Sequence, residues 1–310
     1  MYNGIVNIYK EQGFTSHDVV AKLRGIYGQK KIGHTGTLDP MAEGVLIVCL
    51  GQATKLSDLI LTKDKQYIAK MKLGVVTDTD DTSGNIKASK EDAAKELFED
   101  VSSIEERLKM TFGEFVGPSM QIPPMYSAIK VNGKKLYEYA RAGIEIEREP
   151  RPIEIYDIQL QEIFPETQEV SFSVRCSKGT YIRSLIRDIG EKLEVGATMS
   201  GLLRDDVNGI KATDGYKISD LQSLKDMGRL EETVQPMDKL LAGVPKADVL
   251  DSSVKLLSNG NRISLSGLSS KDDIETLKAS QFIRIYLKGE LKALYSYDDE
   301  KKDFKVFKML

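Results

Sequence analysis

The chain has 310 residues and a net charge of −3, with 41% hydrophobic and 29% charged residues, the balance of a globular protein long enough to bury a substantial core. No apolar run approaches the ~20 residues a membrane helix needs, and the opening MYNGIVNIYKEQGF lacks the charged-then-apolar pattern of a signal peptide, so the expected compartment is the cytoplasm. Two histidines and two distant cysteines, Cys49 and Cys176, exclude a histidine-rich zinc site and a disulfide framework.

GIVNIYK (4–10) alternates as a strand does. SHDVVAKLRGIYG (16–28) predicts a helix capped by Ser16, with Val19, Val20, Leu23, Ile26 and Tyr27 on one face. GHTGTLDP (33–40) is a loop of glycines and small polar residues. It runs into GVLIVCLG (44–51), a continuously apolar strand expected to be buried on both faces. ATKLSDLIL (53–61) predicts a short helix, and QYIAKMKLG (66–74) a strand ending in the acidic loop TDTDDTSG (77–84). That loop resembles a metal loop but lacks the closing glutamate of an EF-hand, so a solvated or structural turn is expected.

A helix with an acidic outer face is predicted over 91–110. Pro123-Pro124 marks a rigid loop, and residues 127–140 read as a strand, an Asn-Gly turn and a helix. IEIERE, RPIEIYDIQLQEIF and EVSFSVRCSKG read as three further strands. TYIRSLIRDIGEKL (180–193) is an amphipathic helix that Thr180 can cap. Without a regular βαβ beat, the fold expected is α/β (α+β), a mixed, mostly antiparallel sheet flanked by helices. After Pro236-Met237-Asp238 the pattern changes to short strands, RISL, QFIRIYLKG, LKALYSYD and FKVFKML. Two domains are expected, 1–235 and a small all-β unit over 245–310.

Two stretches could carry chemistry. In GHTGTLDPMAEGVL (33–46), Pro40 biases Asp39 to an extended conformation. A loop feeding directly into a core strand is held rigidly, which suits a catalytic carboxylate; spacing alone favours an ordinary turn aspartate. A phosphate cradle is disfavoured, since neither GxGxxG nor GxxxxGK[ST] is present. In CSKGTYIRSLIRDIG (176–190), Tyr181 and Arg183 fall in the first turn of a helix. An arginine there opposes the macrodipole unless a carboxylate or phosphate offsets it. Basic residues gather in 1–37 and 171–190, so an acidic body could still hold a phosphate backbone.

These stretches resemble the TruB family of pseudouridine synthases. GHTGTLDPMAEGVL resembles the family's catalytic motif nearly position for position. GIVNIYKEQGFTSHDVV (4–20), KQYIAKMKLGVVTDTDDTSG (65–84), QIPPMYSAIKVNGKKLYEYARAGIEIEREPRP (121–152) and CSKGTYIRSLIRDIGEKL (176–193) agree in order, so the likeness covers roughly residues 4–204. The C-terminal part resembles, more weakly, the short PUA-type domain of bacterial members.

The resemblance implies a cofactor-free, metal-free isomerase acting on the T-loop uridine of tRNA, position 55, as a monomer without guide RNA or protein partner. A tRNA-folding chaperone role can coexist with it. The resemblance further implies Asp39 as nucleophile and Arg183 as its partner, a guanidinium favouring the charged carboxylate. Tyr67 would stack on the flipped uracil and be a candidate for the C5 proton transfer. Tyr181 and Leu202 would line the base pocket, and His34 would fill the place in the RNA that the base leaves. Lys10 and Asp81 match frequently shared positions and would be supporting residues, and Lys10, Gly33 and Thr35 would belong to the substrate-binding set. Where the family usually reads Leu-Arg-Arg, this chain has Leu202-Leu203-Arg204, so one basic contact to RNA is missing or supplied elsewhere. Three alternatives are weaker. A guide-dependent synthase of the dyskerin kind would carry partner-binding extensions. A pure binding module would not need Asp39, Tyr67 and Arg183. A carboxylate glycosidase would need a second acid.

Overall fold

The computed structural model describes residues 1–61 and 64–310, with the side chains of 60 and 61 excepted. The strands of the larger part are β1 (Gly4–Lys10), β2 (Ile32–His34), β3 (Glu43–Leu50), β4 (Lys65–Leu73), β5 (Val75–Thr77), β6 (Ile86–Ser89), β7 (Gly117–Gln121), β8 (Lys130–Val131), β9 (Lys134–Lys135), β10 (Arg151–Phe164), β11 (Glu169–Cys176), β12 (Ala197–Val207) and β13 (Ile210–Lys211). The main sheet runs β1-β3-β12-β4-β11-β10-β7, with β2 beside β3 and β13 beside β12. Its pairs are antiparallel except β3 with β12, which is parallel. This is the mixed, mostly antiparallel sheet that the pattern predicts.

The expected double-sided burial of β3 is observed. Leu46, Val48 and Leu50 enter one core with Val19, Leu23 and Ile26 of helix α1 (Ser16–Tyr27), while Val45, Ile47 and Cys49 enter another with Val207, Ile210 and Leu240. β1 is buried nearly throughout rather than on alternate residues, because it pairs with β3 between the same two cores. Helices α2 (Glu91–Phe98), α3 (Val101–Phe115) and α4 (Ile182–Lys192) cover the other half of the sheet, placing Phe98, Ile104, Leu108, Phe112, Leu185 and Ile189 against Met71, Phe172, Val174 and Met199. Each such side chain contributes about 1.5–3 kcal/mol on burial. Among the described residues no helix is long and apolar enough to cross a membrane.

Four local expectations are corrected. The cap of α1 is Thr15, not Ser16: Asp18 N donates to Thr15 Oγ1 (3.1 Å) and Thr15 N to Asp18 Oδ2 (2.8 Å), a reciprocal capping box. Residues 91–110 form parts of two helices, because Asp100 accepts from Ser102 N and Ser103 N and starts α3. IEIERE is not a strand; β7 already occupies the edge of β10, and Ile144 is exposed. Thr180 does not cap α4, since its hydroxyl donates to Ser177 O (3.0 Å) and Tyr181 takes the cap position. The short helix expected at 53–61 is present as a 3-10 turn, Gly51–Leu56, followed by Ser57–Leu61; its last two side chains lie outside the described residues.

The C-terminal sheet comprises β14 (Lys246–Val249), β15 (Ile263–Ser264), β16 (Leu268–Ser269), β17 (Ile283–Leu287), β18 (Glu290–Asp298) and β19 (Asp303–Met309), in the order β15-β19-β18-β17-β14-β16. Two short helices, Val254–Ser258 and Ile274–Ala279, lie in its connections. This sheet rests on the larger part through Leu56, Leu241 and Leu294, and Lys308 Nζ donates to Lys55 O (2.7 Å).

Three buried side chains hold the loop between β2 and β3. Lys10, wholly buried, donates to Ala42 O (2.5 Å) and Pro40 O (3.4 Å). Ser16 Oγ, freed from capping, accepts from Leu38 N (2.9 Å) and donates to Leu38 O (3.2 Å). Arg204, 3% exposed, donates to the carbonyls of Val45 (2.7 Å), Gly36 (3.1 Å) and Thr37 (3.3 Å). The loop ends at Gly44, where φ is +101° and a Cβ would lie 2.3 Å from Arg204 O. Only glycine allows β12 so close.

Gly44→Ala should therefore lower the unfolding free energy by roughly 2–4 kcal/mol, from left-handed strain plus overpacking, read as a lower urea midpoint. Burial lowers the Lys10 ammonium from 10.5 to about 8. Between those values the unfolded chain binds more protons than the folded one, so this group makes stability rise as pH increases from about 8 towards 10.5. Urea midpoints of the wild type should climb across that window relative to Lys10→Met; parallel profiles would refute the assignment.

Candidate active site

The loop leading into β3, the start of α4, β4, β12 and the segment 126–128 surround a cavity of about 470 Å³. Asp39, Tyr67, Tyr181, Arg183 and Leu202 all line it. These residues are distant in sequence, and the sheet order β12-β4-β11 with α4 after β11 brings them together.

Arg183 sits in the first turn of α4, and its side chain is 5% exposed. Its Nε lies 2.9 Å from Asp39 Oδ2. Nη1 donates to Thr79 O (3.0 Å) and approaches Asp81 Oδ2 (3.9 Å), while Nη2 donates to Tyr126 O (2.9 Å). The carboxylate supplies the negative charge that an arginine at a helix N-terminus needs. Asp39 keeps a side-chain exposure of 35%, so it is paired on one side and open to the cavity on the other.

Tyr67 and Arg204 are direct cross-strand partners of β4 and β12, and Leu202 pairs with Ala69 two positions along. Side chains of such a pair share a face. Burial pushes the Tyr67 phenol up to about 12, although the neighbouring Arg204 pulls the other way. Tyr67 is thus a neutral phenol at neutral pH, with a cation as its cross-strand neighbour. Lys65, on the same face of β4, also lines the cavity, and burial lowers its ammonium to about 8.

The remaining expected residues lie around the cavity rather than in its lining. His34 is half-buried on β2, edge-on to His17 with ring centroids 5.5 Å apart, and burial lowers its pKa; His17 is the histidine that lines the cavity. Thr35 is buried, and its hydroxyl donates to Ile47 O (3.3 Å). Gly33 pairs with Cys49 in the sheet. Lys10 lies beneath the loop. Asp81 accepts from Ser83 N (3.0 Å) and Thr79 Oγ1 (2.8 Å), and Asp80 is 3.3 Å from Arg187, so the acidic loop is a structural turn. Among the described residues no cluster of three or more histidine, cysteine or acidic side chains could hold a metal.

Sequence reasoning gave Arg204 no role of its own; the structure shows it buried, with its guanidinium spent on the carbonyls of Gly36, Thr37 and Val45. Its position two residues after Leu202, on the same strand face, was the available signal. The segment after Pro123-Pro124 was legible as rigid, but nothing local shows that it walls the site.

Residues 24–182 match the family model described as TruB family pseudouridylate synthase (N terminal domain), and residues 183–242 match tRNA pseudouridylate synthase B C-terminal domain. The chain is 41% identical to tRNA pseudouridine synthase B of Clostridium tetani and 44% identical to that of Lachnoclostridium phytofermentans, each over 99% of both chains. The counterpart in Alkaliphilus oremlandii is 47% identical over 84% of this chain and 83% of its own. Among solved structures, a chain of a Cbf5-Nop10-Gar1 complex superposes with a TM-score of 0.73 at 29% identity, covering 99% of this chain and 84% of that one. A chain of an H/ACA RNP bound to a substrate RNA containing 2′-deoxyuridine gives 0.71 at 28%, covering 99% and 84%. The chain belongs to the TruB family of pseudouridylate synthases, and its activity is the isomerisation of uridine to pseudouridine in tRNA.

Proposed function

We propose that this enzyme acts on the T-loop uridine at position 55 of tRNA, taken into the cavity as a flipped-out nucleotide, with Asp39 as the nucleophile. The observation that carries the reading is the Asp39–Arg183 pair, 2.9 Å apart, at a cavity walled by Tyr67 and Leu202. Isomerisation breaks the N1–C1′ bond, turns the base, makes a C5–C1′ bond and moves one proton from C5 to N1. The base must leave the helical stack first. A carboxylate held on one side by a guanidinium can attack or stabilise the electron-poor centre that appears when N1 departs.

Tyr67 enters as a neutral phenol and offers its face to the uracil. As acceptor of the C5 proton it first gives its own proton to N1, and the phenolate this leaves, stabilised by the nearby Arg204, then takes the proton from C5. Tyr181 and Leu202 confine the ring, and His34 lies at the cavity margin where RNA would approach. Lys10, Gly33 and Thr35 support substrate indirectly, through the loop and sheet that hold Asp39. The enzyme works as a monomer on tRNA alone; the relatives' name supports tRNA as the substrate. A tRNA-folding role would use the same surface without the chemistry.

Purified protein should form pseudouridine at position 55 of a transcribed tRNA without added RNA or protein, mapped by carbodiimide-primer extension. Asp39→Asn should reduce turnover by at least ~10³-fold while tRNA affinity stays within about three-fold. Turnover close to wild type would refute the nucleophile assignment. Arg183→Lys should cost roughly 10–100-fold in single-turnover rate, because an ammonium cannot reproduce the planar fork; a normal rate would refute the pairing. Affinity for tRNA should fall steeply with salt, and a flat profile would argue against phosphate contacts.

A further inference from the structure

Ser127 is 5% exposed and lines the cavity. Its backbone is fully used: its N–H donates to Met125 O (3.0 Å) and its carbonyl accepts from Tyr137 N (3.1 Å). Its Oγ is buried and, among the described residues, makes no hydrogen bond of normal geometry. The Tyr181 phenol is near enough for Ser127 to offset part of the rise that burial causes there. A buried hydroxyl left unpaired is destabilising, and one that faces a binding cavity is placed to gain its partner from the ligand.

Its place in the site is fixed by Arg183. One guanidinium joins Asp39 Oδ2 through Nε and Tyr126 O through Nη2. The peptide bond linking Tyr126 to Ser127 therefore lies one guanidinium width from the reactive carboxylate. Ser127 lines the same cavity as Asp39, although it is remote from it in sequence.

The incoming group has a definite chemistry. When a uracil reacts at N1, C6 and C5, its opposite edge carries O2, N3–H and O4. That edge loses water on entering the cavity and needs partners. Exchanging N1 for C5 is a half-turn about the axis through N3 and C6. The turn swaps O2 with O4 and leaves N3–H in place, so the edge reads acceptor–donor–acceptor both before and after. A hydroxyl, which both donates and accepts, can hold either orientation.

We propose that Ser127 is a base-recognition residue whose hydroxyl hydrogen bonds the imide edge of the flipped uracil. This rests on the reading of the cavity as the site of the extruded uridine. Ser127 forms no covalent bond and moves no proton to the ribose. It orients the uracil; a hydroxyl that both donates and accepts fits a cytosine edge as well, so it does not by itself choose between the two pyrimidines.

The test is an analogue cycle under single-turnover conditions. Transcribed and ligated tRNAs carry uridine, 3-deazauridine, 2-thiouridine or 4-thiouridine at the target position, and are offered to wild type, Ser127→Ala and Ser127→Thr. Ser127→Ala should be about 10-fold slower on uridine, with tRNA affinity unchanged within three-fold. At least one analogue should slow the wild type by a similar factor yet slow Ser127→Ala by less than about two-fold further. Ser127→Thr, which retains the hydroxyl, should recover most of the rate, a pattern that simple loss of packing would not give. Wild-type kinetics for Ser127→Ala, or analogue penalties equal in both enzymes, would overturn the proposal alone. Failure of the wild type to convert uridine would overturn the site reading along with it.

Discussion

One buried guanidinium, that of Arg183, sets the geometry on which the rest depends. Its nitrogens reach Asp39, the Thr79 carbonyl beside Asp81, and the Tyr126 carbonyl. Four segments that share no local sequence relation are thus fixed to one rigid plane. A lysine could satisfy the charge of Asp39 but could not hold three directions at once. Burying such a group is a weak source of stability, because desolvation cancels much of the attraction. Its value lies in position: the carboxylate cannot swing without breaking a bond at 2.9 Å, and the helix end behind Arg183 is relieved only while that bond is made.

A second guanidinium acts from the opposite side. Arg204 leaves β12 facing Tyr67 on β4 and spans the carbonyls of Gly36, Thr37 and Val45. The strand register that pairs Tyr67 with Arg204 therefore also aligns the Tyr67 ring with the loop that carries Asp39. A one-residue slip would turn both side chains to the other face. The parallel pairing of β12 with β3 at Gly44 completes the arrangement, since it carries Arg204 to the end of the loop.

What could be read in the sequence was local. The helical face of α1, the apolar run of β3 and the Asn-Gly turn, where Asn132 and Gly133 both take positive φ, follow from periodicity and turn chemistry. The same holds for the position of Arg183 in the first turn of α4. Thr15 and Ser16 are equally good caps on paper; the choice was made by the Leu38 backbone, which claims Ser16 from 22 residues away. IEIERE alternates as well as any strand, but alternation states only which face could be buried and says nothing of a free edge to join. Lys10 and Arg204 were legible as charges, and charges on a sequence read as surface. Their burial rests on carbonyls contributed by distant chain, which no window contains.

Those carbonyls also indicate why the site is built so expensively. Lys10, Arg183 and Arg204 are all nearly or wholly buried; Lys10 and Arg204 end on carbonyls of the loop, while Arg183 holds the loop's Asp39 carboxylate and ends on the Thr79 and Tyr126 carbonyls. For Lys10 the compensation is incomplete, as the fall of its ammonium to about 8 through burial shows. A chain selected for stability alone would place apolar side chains there. Apolar packing, however, would let the loop settle by sliding, whereas directional bonds to individual carbonyls fix it in register. Isomerisation needs that register, because the base turns while the sugar waits. On the proposed reading of Asp39, the carboxylate facing the sugar must keep its place during that interval. Rigidity beneath the carboxylate, and cations at fixed positions around it, are therefore properties that the reaction requires of the fold, and the three buried charges supply both.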